Sequence, residues 1–95
     1  MKQYSSVVAR DLSFTYAKRY IEDNKGYTFI TYKDWENVHF ISKQGEWCIY
    51  TKNNELIKNV PLKVIQCQDK RGWMIVKIKE DVIEDIIDLL DEDNL

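Results

Sequence analysis

Hydrophobic residues along this chain follow first one spacing and then another, and the change falls near residue 27. Between residues 12 and 23, Leu12, Tyr16 and Tyr20 recur every four positions with Ala17 and Ile21 beside them, which is one face of a helix. Asp11 or Ser13 can cap its start, and Asn24-Lys25-Gly26 supplies a stop. Residues 4–9 fit either a short strand before this helix or an extension of it.

From Tyr27 the period becomes two. Residues 27–32 are β-branched and aromatic, the types that suit a pleated surface, and predict a strand. Residues 38–41 and 47–51 predict the arms of a hairpin around Ser42-Lys43-Gln44-Gly45. Thr31-Tyr32-Lys33-Asp34 also fits a capping box that would make residues 33–40 a short helix, but the strand is the preferred reading. Residues 62–68 and 73–79 flank Asp69-Lys70-Arg71-Gly72, whose first Asp and fourth Gly suit a type I turn closing through a glycine bulge. Asn53-Asn54 makes a turn, and Asn59-Val60-Pro61 breaks the short element holding Leu56 and Ile57.

The last segment, KEDVIEDIIDLLDEDNL at 79–95, returns to helical spacing. On a wheel of 100° per residue Val82, Ile83, Ile86, Ile87, Leu89 and Leu90 fill an arc of about 160°, and the acids from Glu80 to Glu92 fill the remainder. These elements predict a single α+β domain over residues 1–95: an N-terminal helix, an antiparallel sheet of about five strands built from hairpins, and a C-terminal acidic amphipathic helix packed on the sheet.

Composition narrows the class. At 95 residues there is room for one core, and a hydrophobic fraction of 44% with 13% aromatics argues against disorder. The longest aliphatic runs fall far short of the roughly 20 residues that span a bilayer. No apolar leader opens the chain, so a cytoplasmic location is the expectation. Cys48 and Cys67, 19 positions apart, fit buried thiols in a reducing compartment better than a disulfide framework, with a single pairing left open.

The net charge of -2 conceals a division. Residues 1–79 hold all 14 Lys and Arg against eight acids, a balance of +6, and residues 80–95 hold eight acids and no base. On the terminal helix four of the resulting like-charge pairs are spaced i,i+4 and three i,i+3, and seven such pairs cost about 1.4 to 3.5 kcal/mol before salt screening. Burial of six aliphatic side chains, at roughly 1.5 to 3 kcal/mol each when complete, is expected to outweigh this. Relief can come from the protein's own Lys63, Lys77 or Lys79, or from a partner protein with a basic surface facing Glu84, Asp85, Asp88, Asp91 and Glu92. In the second case the acidic row imitates the spaced charges of a nucleic-acid backbone. A second copy, offering its basic body, would make a homodimer. No metal is expected, because the acids lie in rows and lack the D-x-[DN]-x-[DN]-G loop that wraps calcium.

Lys25-Gly26-Tyr27-Thr28-Phe29-Ile30-Thr31-Tyr32 resembles the RNP1 segment of RNA-recognition-motif domains, K/R-G-F/Y-G/A-F-V-x-F/Y, departing from it at Thr28 and Ile30. The following Lys33-Asp34-Trp35-Glu36-Asn37-Val38 is similar to the start of that family's second helix, so the resemblance covers residues 25–38. It implies RNA or single-stranded DNA binding, with Tyr27 and Phe29 stacking on bases and Lys25 facing a phosphate.

Other chemistry is thin. His39 is the only histidine and sits in an apolar run, Gly occurs only at 26, 45 and 72, and no motif nominates a nucleophile, a phosphate loop or a cofactor. Trp35, Trp47 and Trp73 are core candidates. One left exposed would anchor a partner, and Trp73 beside Lys70 and Arg71 is the first choice. The expected function is that of a small non-enzymatic protein that regulates or inhibits a macromolecular partner by protein contacts. Its Lys-, Asn- and Ile-rich usage suits a phage or mobile-element product from an AT-rich genome.

Overall fold

Nine elements succeed one another in the computed structural model, which describes residues 4–24, 28–33, 37–66 and 71–92: β1 (Tyr4–Leu12), α1 (Phe14–Asp23), β2 (Phe29–Tyr32), β3 (Val38–Ile41), β4 (Trp47–Tyr50), β5 (Leu56–Ile57), α2 (Leu62–Gln66), β6 (Trp73–Ile78) and α3 (Glu80–Glu92). The α+β class and the antiparallel sheet agree with the sequence pattern. The sheet has six strands in the order β1-β6-β2-β3-β4-β5, and the chain enters it through a strand rather than a helix.

Residues 4–12 resolve as strand because β6 offers them an edge. Tyr4 pairs with Ile78 and Leu12 with Trp73, and three register shifts between them fit nine residues of β1 against six of β6. Asp11, at φ 56, falls within the last of these shifts, between Ala9 and Leu12. Ser13 then caps α1, its Oγ accepting a hydrogen bond from the Tyr16 amide at 3.2 Å. Asn24 closes the helix by donating from its amide and its side chain to the Tyr20 carbonyl. The buried stripe is Phe14, Ala17 and Ile21, spaced i, i+3, i+7. Tyr16, expected on it, is 59% exposed.

The hairpin of β3 and β4 forms as expected, with Ser42 and Glu46 closing it and Gly45 at φ 85. The second expected hairpin does not form. Residues 62–66 are the short helix α2, and β6 pairs instead with β1 on one side and β2 on the other. With both edges of β6 taken, no strand position beside it is open to residues 62–66. Pro61 immediately before Leu62 favours a helix start, and Ile65 turns into the core. Gly72, at φ 124, lets the backbone pass close to Lys33: a Cβ on it would lie 2.8 Å from both Cγ and Cε of Lys33. Its carbonyl accepts from the Lys33 amide at 2.7 Å, and the Lys33 ammonium stands 5.4 Å from the centre of the Tyr32 ring.

The sheet is covered on both faces, which is why β2 is buried at all four positions, Thr31 included. On one face α1 and α2 cover Ile30, Tyr32, Trp73 and Ile75. On the other α3 covers Phe29, Val38, Phe40, Cys48, Tyr50, Met74, Val76 and Ile78. Both sheet edges are poor templates for another strand, β1 because of its register shifts and β5 because it has two residues.

Candidate binding face on the C-terminal helix

The aliphatic arc of α3 settles on the sheet only in part. Ile86 is fully buried, whereas Val82, Ile83, Ile87, Leu89 and Leu90 are half-buried. The full value per side chain therefore applies to Ile86 alone, and the margin by which packing exceeds charge repulsion is smaller than six complete burials would give. Glu80 and Asp81 lie in the first turn, where the helix dipole favours them, and no base lies in the last.

Glu80, Asp81, Glu84, Asp85, Asp88 and Asp91 are all exposed. Among the described residues none of the six forms an ion pair, and Lys63, Lys77 and Lys79 reach none of them. Among the described residues, ion pairs join Lys18 to Glu22 at 3.0 Å and Arg71 to Asp11 at 3.5 Å, both away from α3. The Glu92 side chain lies outside the described residues. The field of the row is felt inward as well: burial, then Asp85 and Asp81, push the Tyr50 hydroxyl pKa upward. Tyr50 bonds Asn54 through that hydroxyl at 3.2 Å.

The lysines that border α3 are Lys43 and Lys58. With Glu46 they line a groove of about 450 Å³ facing Ile87, Leu90 and Asp91 at the end of the helix. Sequence spacing could not nominate them, because the turn of the β3–β4 hairpin reaches the last turns of α3 only through the tertiary fold.

Other expected anchors are placed differently. Trp73 is 0% exposed, so it is a core residue and no surface anchor. It stands at the centre of an aromatic cluster, with ring centroids 5.1 Å from Phe14, 5.3 Å from Tyr32 and 5.4 Å from His39. The reason is register: Trp73 opens β6 opposite both Leu12 and Tyr32, directly beneath α1. Trp47 packs against the same cluster, 6.2 Å from Phe14. Arg71 is exposed beside Asp11. Lys70, Trp35 and Cys67 lie outside the described residues.

Phe29 is 1% exposed, packed against Phe40 at 5.2 Å beneath α3, and has no face left for a base. Lys25 and Tyr27, the other residues that the RNP1 resemblance would use, lie outside the described residues. His39 is buried, its Nδ1 3.4 Å from the Ile30 carbonyl oxygen, and desolvation lowers its pKa to about 4. A neutral imidazole pressed against Trp73 fills the core. Cys48 is a free thiol buried under α3, and burial raises its pKa. Among the described residues no three His, Cys, Asp or Glu side chains converge as a metal site, and no helix is long and apolar enough to cross a membrane. Comparison with family models, curated proteins and solved structures finds no match to this chain.

Proposed function

We propose that this is a small non-enzymatic protein that regulates or inhibits a macromolecular partner, docking the acidic face of α3 on a basic surface of that partner. The observation that carries the reading is the row of six exposed carboxylates, none of which forms an ion pair with a lysine or arginine among the described residues. A solvated face of ordinary composition mixes both signs; this one carries a single sign along about 16 Å of helix, at 1.5 Å per residue. The spacing is one charge per about 3 Å of axis, close to the 3.4 Å per charge of one nucleic-acid strand. A nucleic-acid-binding surface is accordingly the partner chemistry that the row matches best. Origin in a phage or mobile element suits such a role.

The test is a charge swap. Asp85→Lys, Asp88→Lys and Asp91→Lys together leave the aliphatic arc untouched and bring the six exposed charges of the row from -6 to zero. Proteins captured on the wild-type chain are purified and their direct binding measured against salt, with single-stranded RNA as a second probe. We expect the swap to lower affinity for the captured partner at least tenfold and to flatten its salt dependence. Equal affinity of wild type and swap would overturn the reading, as would binding of the wild type to RNA with no protein partner.

A further inference from the structure

The physical balance of α3 points to a device built into the fold. Three observations converge on it. Six of its carboxylates have no cationic partner among the described residues. Its continuous helical geometry brings the seven like-charge pairs into register at i,i+3 and i,i+4. Of its six aliphatic side chains only Ile86 is fully withdrawn from water, whereas α1 buries Phe14, Ala17 and Ile21 completely or nearly so.

From these we infer that α3 is a charge-gated lid, loosened by its own repulsion, which cations on its outer face clamp down and which opens before the rest of the sheet. What it covers makes the opening consequential. Beneath it lie Phe29, Val38, Phe40, Met74 and Val76, an apolar face against which Val82, Ile83, Leu89 and Leu90 of α3 pack. A polycation that lowers repulsion on the outside stabilises the closed state by its differential affinity, and closing raises its affinity in return. The inference concerns the isolated chain and stands whether or not a protein partner uses the acidic row.

Hydrogen exchange at individual amides tests it. Ile86, Ile87, Leu89 and Leu90 report α3, with Ala17, Tyr20 and Ile21 of α1 as the internal control. Exchange is followed at about 10 mM and about 1 M NaCl, where the screening length falls from roughly 30 to 3 Å. A third condition adds spermine, a tetracation, at the lower salt. High salt and spermine should each raise protection of the α3 amides roughly tenfold and leave α1 within twofold. Screening acts against α1, whose Lys18–Glu22 pair is attractive, so a general tightening is not expected there.

The variant Glu84→Gln with Asp88→Asn removes six of the seven like-charge pairs and no apolar contact. It should show high protection at low salt and no further gain. Parallel changes in α1 and α3 would overturn the lid, because they would mean that both helices exchange only through global unfolding. So would a variant that keeps the full salt response of the wild type.

Discussion

The two faces of the sheet are covered by different means. Under α1, three residues at helical spacing, Phe14, Ala17 and Ile21, meet an aromatic cluster around Trp73, and the helix is capped at Ser13 and closed at Asn24. Under α3, a longer helix with six aliphatic positions buries one of them fully and presents to water a row of acids without ion-pair partners among the described residues. Length and apolar content do not decide how tightly a helix is held. The aromatic partners it meets, its caps and the charges it must bring together decide more. One face is built for stability, and the other leaves a surface in a strained electrostatic state.

That contrast breaks most readily at its two centres. Trp73→Ala should cost about 3 to 5 kcal/mol, since it empties the middle of the aromatic cluster, and Leu89→Ala, on the half-buried arc of α3, should cost about 1 to 2. Denaturant midpoints at constant slope check both. Equal costs would mean that the two faces hold their helices alike, and the contrast would fall.

A second prediction concerns pH and belongs to the α1 face alone. His39 titrates near pH 4 when folded and near 6.5 in the unfolded chain, so between those values the unfolded state binds the extra proton. The contribution of the neutral imidazole is whole above pH 6.5, declines as pH falls through the window, and is lost at about pH 4. The total is about 3 kcal/mol. His39→Leu should flatten this segment of the stability curve, measured by urea denaturation from pH 7 to about 4. A wild-type curve with no decline in that interval would show that His39 is solvated.

How far the pattern of residues leads differs between the faces for the same physical reasons. The terminal helix, its acidic row and the β3–β4 hairpin were legible, because each depends on spacing within a short segment. Trp73 as a core residue was not, since nothing local tells that β6 will lie between β1 and β2 with both edges paired. The same long-range pairing turned residues 62–66 from an expected strand into α2, and made β1 a strand where local spacing left it open. The acidic row could be read from its period. That its obvious lysines would miss it could not, because Lys63 takes its position from α2, Lys77 from β6 and Lys79 from the junction between β6 and α3.

The smallest expected effects probe the helix ends and charges, where the contrast is one of sign. Ser13→Ala removes the side-chain acceptor for the Tyr16 amide and should destabilise the protein by about 1 kcal/mol. Asp85→Asn removes a like charge from an exposed row and should stabilise it by a few tenths of a kcal/mol at low salt, an effect that vanishes at high salt. The same substitution withdraws one of the charges that hold the Tyr50 hydroxyl pKa up, so the phenol should ionise at lower pH than in the wild type. Ultraviolet titration of tyrosinate measures that shift directly. A Tyr50 titration that does not move, beside an unchanged stability, would mean that solvent already screens the row, and the electrostatic half of the contrast would be lost while the packing half stood.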